Sequence, residues 1–312
     1  MKPRPGVRAT VALVGWVGVA CGPQATAPPT PPGRTITAAE ALAWPARPYD
    51  ARIPYGPAPQ QFGELRLPAA DGPAPVAVVI HGGCWLSIAD NDYMDGVAEA
   101  FTAAGWATWN LEFRTLDQPG GGWPGTLLDV GAGIDVLRDV ADEHPLDLDR
   151  VIAVGHSSGG HLALWAAARS GIPPGGELHA PDPLPFRGAI GLSAIADIEA
   201  YRAMDVPACG DTPVRLLGGL EPAEARHRLA QVSPALLRAS APPQILVTGS
   251  GDGIVPPRHG DEYERLLQAD GLDVVHHVIP GAGHFEVVDI DGATWGVTWQ
   301  LMRDFLERVA GG

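Results

Sequence analysis

The chain has 312 residues, 46% of them hydrophobic, and a mean hydropathy of +0.04, so it can bury a sizeable core and is not globally disordered. Its formal net charge of -15, from 21 basic and 36 acidic residues, argues against nucleic acid or an anionic membrane surface as the main partner. The length allows one large α/β domain or two small ones.

The N-terminus has the pattern of an export signal over residues 1–20. Lys2, Arg4 and Arg8 precede an apolar run that reaches residue 20 and is too short to span a bilayer comfortably. The run ends in small residues before Cys21, which resembles a bacterial lipobox, whose cysteine is lipidated and becomes the first residue after cleavage. We therefore expect an exported lipoprotein, anchored to a membrane through Cys21 and facing the periplasm or the outside. A plain secretory signal cleaved near Cys21 is the alternative.

Residues 21–45 are rich in proline, threonine and alanine, and they are predicted to form an extended tether. The folded domain is expected over residues 46–312, where strand and helix patterns alternate. This alternation predicts a doubly wound, mostly parallel sheet with helices on both faces. Residues from about 195 to 240 depart from it and are expected to form short helices, a small cap-like insertion above the sheet.

The elements follow from runs of β-branched residues and from apolar residues spaced three and four apart. The predicted strands are Glu64–Leu67, Pro75–Ile80, Ala107–Phe113, Val151–Val154, Arg187–Leu192, Gln244–Thr248 and Val274–Ile279. The predicted helices are Val97–Ala104, one helix from Leu127 to Ala141, Leu162–Arg169, Asp261–Ala269 and a closing helix around Leu301–Val309.

The run Gly155-His156-Ser157-Ser158-Gly159 lies between a predicted strand and a predicted helix. A strand that ends in G-x-S-x-G and turns directly into a helix is the nucleophile elbow of a serine hydrolase. The flanking glycines are needed because the turn is so sharp that side chains there would make the strand and the helix collide. Ser157 is therefore the predicted nucleophile; an ordinary surface serine in a glycine-rich turn is the alternative.

A serine hydroxyl needs a base to take its proton and an acid to orient that base, and here the partners should follow in the order acid, then histidine. Asp252 comes four residues after a buried strand in a glycine-rich loop and is the predicted acid, with a solvated turn aspartate as the alternative. Asp289 and Asp291 are rivals, but they lie after the histidine. His284 follows the next strand in another glycine loop and is the predicted base.

The oxyanion hole is expected in the loop that follows the Pro75–Ile80 strand, which reads His-Gly-Gly-Cys-Trp. Glycines leave backbone N–H groups free to face a developing oxyanion. The predicted donors are the N–H groups of Gly82, Gly83 or Cys84 together with that of Ser158.

Three residues near these motifs are predicted to line the substrate pocket: His81, Trp85 and His156. Core packing is the alternative for Trp85. His156 and His161 are not expected to act as the base, because the elbow directs them away from that position.

The chain has 3 cysteines and no metal-ligand spacing, so neither a metal nor a cofactor is predicted. A Cys84–Cys209 disulfide is conceivable in an oxidising compartment. Separate thiols are favoured, because Cys84 falls in a motif that should be buried. A free Cys84 beside the oxyanion hole would make the enzyme sensitive to bulky thiol reagents.

On these motifs the chain resembles the α/β-hydrolase superfamily, and within it the bacterial hydrolases similar to kynurenine formamidases and to the carboxylesterases and lipases with an H-G-G motif. The likeness extends from about residue 50 to residue 308. It implies an α/β-hydrolase fold and a Ser-His-Asp triad that forms an acyl-enzyme without cofactor or metal.

The resemblance leaves the substrate open between a small to medium carboxylic ester and, as the alternative, an aryl formamide or amide of the kynurenine formamidase type. The export signal disfavours a formamidase of tryptophan breakdown, which belongs in the cytosol. A remote alternative is a binding lipoprotein without catalytic activity.

Overall fold

The computed structural model describes Met1 and residues 35–69, 72–204, 208–220 and 225–310. The chain divides into two units, Met1–Thr30 and Pro31–Gly312, and the elements described below belong to the second. The predicted signal peptide, the lipidation of Cys21 and the tether up to residue 34 fall outside the described residues. Within the described residues, no helix is long and apolar enough to cross a membrane.

An eight-stranded sheet lies at the centre, in the order β1-β2-β4-β3-β5-β6-β7-β8. Its strands are β1 Ala51–Pro54, β2 Phe62–Arg66, β3 Ala74–Ile80, β4 Ala107–Leu111, β5 Leu146–His156, β6 Gly188–Leu192, β7 Gln244–Gly249 and β8 Val274–Ile279. β1 pairs with β2, and β2 with β4, in antiparallel fashion, whereas all pairs from β4 to β8 are parallel. The predicted mostly parallel sheet is confirmed.

Alternate side chains of β3 enter the hydrophobic clusters on the two opposite faces of the sheet, so every position in this strand favours an apolar residue. Val76, Val78 and Ile80 belong to one hydrophobic cluster, and Ala77 and Val79 belong to a second cluster on the other face. All five are fully buried. A parallel strand covered by helices on both sides reads as a continuous apolar run, which is how the sequence revealed it.

Helices cover both faces of the sheet. Those outside the cap-like insertion are α1 Ala38–Ala41, α2 Asp95–Ala103, α3 Gly125–Asp135, α4 Leu137–Glu143, α5 Ser158–Ala168, α10 Pro257–Ala269 and α11 Trp295–Ala310. α2 and α11 contribute to one hydrophobic cluster, and α3, α5 and α10 to the other. Between β6 and β7 the described residues contain the short helices α6 Ile198–Ala203, α7 Thr212–Leu216, α8 Arg226–Val232 and α9 Pro234–Leu237.

The single helix predicted from Leu127 to Ala141 is in fact two, α3 and α4, separated at Val136. The indole N–H of Trp109 on β4 donates to the carbonyl oxygen of Gly133 at 2.7 Å. In a continuous helix that carbonyl would accept from the N–H four residues later, at Leu137. We attribute the break to this tertiary hydrogen bond, which no local pattern reveals.

The predicted tether ends too late, because residues 35–45 include α1. Thr37 caps this helix and Glu40 hydrogen-bonds back to the Thr37 N–H, which together form a capping box. The Thr-x-x-Glu spacing is visible in the sequence and could have indicated the helix. The edge strand β1 was also missed; it is four residues long, half-exposed and ends at Pro54.

Candidate active site

The turn between β5 and α5 holds Ser157 in a strained conformation, with φ 56° and ψ -122°. A positive φ is uncommon for a residue with a side chain. A Cβ on Gly155 would lie 2.2 Å from the carbonyl oxygen of Gly159, and a Cβ on Gly159 would lie 2.2 Å from that of His81. Both positions therefore require glycine, and the turn has the geometry expected of a nucleophile elbow.

The loops after β7 and β8 bring the predicted acid and base together. The His284 Nδ1–H donates to Asp252 Oδ2 at 2.8 Å, and both residues are buried, with 6% and 4% of their surfaces exposed. The other carboxylate oxygen of Asp252 accepts from the N–H groups of Ile254 and Val255, each at 2.8 Å. Asp252 is thus fixed by its own loop while it orients the imidazole.

Two opposing effects act on the carboxyl group of Asp252. Burial alone would raise its pKa, but the hydrogen bond and the charge of His284, together with the Val255 N–H, bring the pKa below its ordinary value. Asp252 is consequently ionised at neutral pH. An ionised carboxylate here favours the tautomer of His284 that leaves Nε2 without a proton.

Ser157 and His284 line the same cavity, which has a volume of about 120 Å³. Among the described residues, no hydrogen bond joins the Ser157 hydroxyl to the imidazole; catalytic hydrogen bonds are often long before substrate binds. The lining residues are Ala38, Leu42, Gly83, Cys84, Ile88, Ala89, Tyr93, His156, Ser157, Ala208, Ile254, His284 and Phe285.

A chain of buried hydrogen bonds links the predicted oxyanion loop to the histidine loop. The Gly82 N–H donates to the hydroxyl oxygen of Tyr93, and that hydroxyl lies 3.1 Å from His156 Nδ1. The His156 Nε2–H donates to the carbonyl oxygen of His284 at 3.0 Å. Burial and the charge of His284 lower the pKa of His156 to about 3, so its ring is neutral and Nδ1 accepts from Tyr93.

This chain corrects one prediction and adds one residue. Gly82 is not a free donor, because its N–H is already bonded to Tyr93. The predicted place of His156 on the pocket wall agrees with the cavity lining. Tyr93 itself escaped the sequence analysis, since it lies in a short helical turn away from every motif and gives no local signal.

The predicted oxyanion loop has three consecutive residues with positive φ: Gly83 at 104°, Cys84 at 55° and Trp85 at 58°. The Leu86 N–H donates to the Gly83 carbonyl oxygen at 2.9 Å and closes this stretch into a tight turn. The Trp85 N–H is used, because it donates to Ser158 Oγ at 3.2 Å. Ser158 is the first residue of α5, where the N–H has no acceptor within the helix.

Two predicted pocket residues, His81 and Trp85, are not among the residues that line the cavity. His81 is fully buried, stacks on Phe113 with ring centroids 4.5 Å apart, and lies 3.2 Å from a carboxylate oxygen of Glu112. The Trp85 Nε1–H donates to His161 Nδ1 at 3.2 Å. The pocket role was wrong for both, and the alternative of core packing holds for Trp85.

Cys84 and Cys209 form a disulfide, with their Cα atoms 5.3 Å apart. The prediction of separate thiols was wrong, and the expected reaction of Cys84 with thiol reagents falls with it. The motif is not fully buried at this position, because the Cys84 side chain is half-buried and lines the cavity. The two cysteines are 125 residues apart, so no local pattern could pair them.

The segment 35–42, which we call the strap, lies against the histidine loop. Glu286 accepts from the N–H of Ile36 through one carboxylate oxygen and from the N–H of Gly283, at 2.9 Å, through the other. Ala38 and Leu42 of the strap line the cavity. This segment lies within the predicted tether, so its contribution to the site was not predicted.

One group of carboxylates in the described residues has the spacing of a metal site: Glu64, Asp92 and Asp95. The Arg66 guanidinium, however, donates to Asp95 and lies 3.6 Å from a carboxylate oxygen of Glu64. The place of a cation is thus taken by an arginine, and none of these residues lines the cavity that holds Ser157.

The BD-FAE family matches residues 64–267, well over half of the chain and the part that carries Ser157 and Asp252. The chain belongs to the BD-FAE family. Among curated proteins it is similar to the esterase LipC of Mycobacterium tuberculosis, with 28% identity over 268 residues, covering 83% of this chain and 64% of LipC. It is also similar to esterase LipQ of the same organism, with 25% identity over 259 residues, covering 77% of this chain and 58% of LipQ. The chain thus spans less than two thirds of these relatives.

Solved structures of α/β-hydrolase esterases share this fold. A truncated carbohydrate esterase from gut microbiota superimposes with a TM-score of 0.72 at 19% identity, covering 86% of this chain and 98% of that one. An inhibited esterase B from Lactobacillus rhamnosis gives a TM-score of 0.71 at 20% identity, covering 84% and 87%. At these identities the likeness establishes the α/β-hydrolase fold, as predicted.

Proposed function

We propose that this protein is a serine carboxylesterase that hydrolyses small to medium carboxylic esters. The observation that carries the proposal is the convergence of Ser157, at the tip of a left-handed turn, and the Asp252-bound His284 on one apolar cavity. Membership of the BD-FAE family and similarity to esterases support an ester as the bond that is cleaved.

In the proposed mechanism, His284 Nε2 takes the proton of the Ser157 hydroxyl while that oxygen attacks the ester carbonyl carbon. Asp252 holds the other ring nitrogen in its protonated form and stabilises the imidazolium. The imidazolium then protonates the departing alkoxide, which leaves the acyl group on Ser157. A water molecule, deprotonated by His284, attacks the acyl carbon and releases the acid.

The negative charge that develops on the carbonyl oxygen needs fixed donors. We propose the N–H of Ser158 together with that of Gly83 or Cys84 for this role, since the Gly82 N–H is already engaged. A donor that is preorganised toward the oxyanion lowers the barrier by about 3 kcal/mol.

The cavity favours a compact, uncharged acyl group. Its volume is about 120 Å³, and among the described residues its lining contains no carboxylate, lysine or arginine. Leu42, Ile88, Ile254 and Phe285 supply aliphatic and aromatic surface. We therefore expect acetyl to butyryl esters to be preferred over long-chain esters.

The test is a p-nitrophenyl ester series from acetyl to dodecanoyl, measured on wild type and on Ser157→Ala. Wild type should cleave the short esters, and Ser157→Ala should lose about 10⁴-fold or more in kcat because the nucleophile is gone. Ser170→Ala, at an exposed serine just after α5, is the matched control and should retain full activity.

Two results would overturn the proposal. An alanine variant at residue 157 as active as wild type would remove Ser157 from the chemistry. Turnover of N-formylkynurenine far above that of any ester would favour the formamidase alternative instead. A fluorophosphonate probe added to wild type gives an independent check, since the proposed nucleophile should become labelled and the alanine variant should not.

We also propose that the chain is exported and anchored through a lipid on Cys21. The support is the basic, apolar and small-residue pattern of residues 1–21. Cys21→Ser should move the protein from the membrane fraction to the soluble fraction of cells that express the full chain. If wild type is found in the soluble fraction outside the cytoplasm, a plain secretory signal is the correct interpretation.

A further inference from the structure

The Cys84–Cys209 disulfide joins the oxyanion loop to the cap-like insertion at the edge of the cavity. Cys84 lines the cavity, and so does Ala208, the neighbour of Cys209. The covalent bond therefore spans two segments that meet at the place where substrate would enter.

The backbone of Cys84 is left-handed, with φ 55°. This conformation is unfavourable for a residue with a side chain, which keeps it only where its surroundings impose it. Gly83, the preceding residue, adopts φ 104° without that penalty because it has no Cβ. Trp85, the following residue, is held by hydrogen bonds to Ser158 and His161. For Cys84 two restraints act: the bond to Cys209, and the turn that the Leu86 N–H closes by donating to the Gly83 carbonyl oxygen at 2.9 Å.

The far end of the disulfide is firmly placed. Cys209 is buried, with 4% of its surface exposed. Its carbonyl oxygen accepts from the Thr212 N–H at 3.1 Å and from the Thr212 hydroxyl at 2.7 Å, at the start of α7. The sulfur of Cys84 is thus tied to a point that the insertion itself keeps in position.

We propose that Cys84 and Cys209 are positioning residues: their disulfide holds the Cys84 peptide in the left-handed conformation that directs its N–H at the oxyanion. This inference rests on the proposed esterase function. Opening the disulfide leaves the turn closed by the Leu86 hydrogen bond alone, so residue 84 relaxes toward negative φ and the donor moves away from the oxyanion. Because the oxyanion forms in the transition state, kcat should fall while KM changes little.

The bond can be opened without mutation. Dithiothreitol supplies two electrons and two protons, so that the Cys84–Cys209 bond becomes two thiols and the reagent becomes its own cyclic disulfide. The half-buried, cavity-facing position of Cys84 gives a small reductant access. Reduced wild type should lose about 10-fold to 100-fold in kcat for p-nitrophenyl acetate, part of the 10²–10³-fold cost of removing a whole oxyanion donor.

Two double variants separate positioning from general stabilisation. Cys84→Ala/Cys209→Ala removes the restraint and keeps a Cβ at residue 84, so it should match reduced wild type and no longer respond to dithiothreitol. Cys84→Gly/Cys209→Ala removes the same bond but places at residue 84 the residue that adopts positive φ most readily. Its kcat should recover to within a few-fold of oxidised wild type, although its melting temperature should be no higher than that of the alanine variant.

The outcomes are distinct. A higher kcat for the glycine variant than for the alanine variant, with similar KM values, supports the proposal. Equal kcat values for oxidised wild type and both variants well below their melting temperatures would overturn it and leave the esterase assignment standing. Wild type that is inactive on every ester, with the disulfide intact, would overturn both.

Discussion

The two sides of the cavity are built in different ways. The inner wall consists of Ser157 and His284, at the carboxyl ends of β5 and β8, and both are almost completely buried. The outer wall consists of Leu42 of the strap, Ile88 and Ala208; Leu42 is 38% exposed and Ile88 is 61% exposed. The proposed catalytic residues lie where strands and close backbone contacts fix each atom, whereas the outer wall comes from segments that pack onto the sheet from outside.

The largest effect should come from the acid that supports the inner wall. Asp252→Asn is expected to lower kcat about 10⁴-fold, because the amide favours the wrong tautomer of His284 and cannot stabilise its charge. Esterase assays with p-nitrophenyl acetate measure this. Asp289→Asn is the matched control, since Asp289 was a rival in the sequence but lies outside the cavity lining. A similar loss in both variants would contradict the assignment of Asp252.

The second largest effect should be a loss of stability when the tight turn that holds Ser157 is disturbed. Gly159→Ala places a Cβ 2.2 Å from the His81 carbonyl oxygen and 2.3 Å from that of Ile80. Backbone must move to accept it, so we expect a loss of about 3 kcal/mol or more in the free energy of unfolding. Urea unfolding of purified protein measures it. Gly296→Ala, in α11 with nothing near its Cβ, should instead stabilise by up to about 1 kcal/mol.

A pH effect should follow from a histidine that packs beside the oxyanion loop. Burial lowers the pKa of His161 to about 4, below the unfolded value of about 6.5. The folded state therefore releases a proton that the unfolded state binds. The contribution of His161 to the free energy of unfolding is therefore fully present above pH 6.5. It is lost as pH falls from 6.5 toward 4, by about 1.4 kcal/mol per pH unit.

Urea unfolding at a series of pH values tests this slope. His161→Gln can accept from Trp85 and donate to the Val232 carbonyl, as the histidine does, but it does not titrate. Between pH 6 and pH 4.5, the free energy of unfolding of this variant should fall less steeply than that of wild type. The difference between the two slopes should correspond to about one proton taken up on unfolding. An unchanged slope would show that His161 is not among the groups that take up protons on unfolding.

A smaller loss of activity is expected when the hydrogen-bond chain between the predicted oxyanion loop and the histidine loop is broken. Tyr93→Phe removes the acceptor of the Gly82 N–H and the donor to His156. We expect about a 10-fold loss in kcat with little change in KM, equivalent to about 1.4 kcal/mol in transition-state binding. Tyr55→Phe also removes a hydrogen bond, to the Glu112 carbonyl, and should lower stability without lowering kcat. Equal kcat values for the two variants would contradict the link.

The smallest change in activity should come from truncating a side chain of the outer wall. Leu42→Ala removes a half-exposed apolar contact worth about 0.5–1 kcal/mol, so kcat/KM for butyryl esters should fall about 2-fold to 5-fold. The loss should be smaller for acetyl esters, which reach less of the wall. Leu236→Ala, at an exposed leucine of α9 outside the cavity lining, should leave both substrates unaffected. Equal losses for acetyl and butyryl esters would remove Leu42 from the acyl pocket.

The same contrast separates what the sequence could predict from what it could not. Ser157, Asp252 and His284 each follow an apolar strand in a glycine-rich loop, so each gives a local signal, and parallel strands bring their carboxyl ends to one edge of the sheet. The order of the motifs then predicted the pairing that the structure has between His284 and Asp252.

Features that depend on distant segments gave no such signal. The disulfide joins residues 125 positions apart, and Tyr93 gains its importance from Gly82 and His156 rather than from its neighbours in sequence. His81 and Trp85 were assigned to the pocket because they belong to one consecutive motif. In the structure both side chains are buried, His81 ahead of the left-handed turn and Trp85 within it.

The strap enters the cavity before the first strand of the sheet begins. A different leader joined ahead of β1 would therefore bring a new pocket wall and leave the pairing of all eight strands as it is. The strap also follows, after residues 22–34, the segment proposed to direct export. The proposed export signal and one wall of the proposed acyl pocket therefore both lie within residues 1–42.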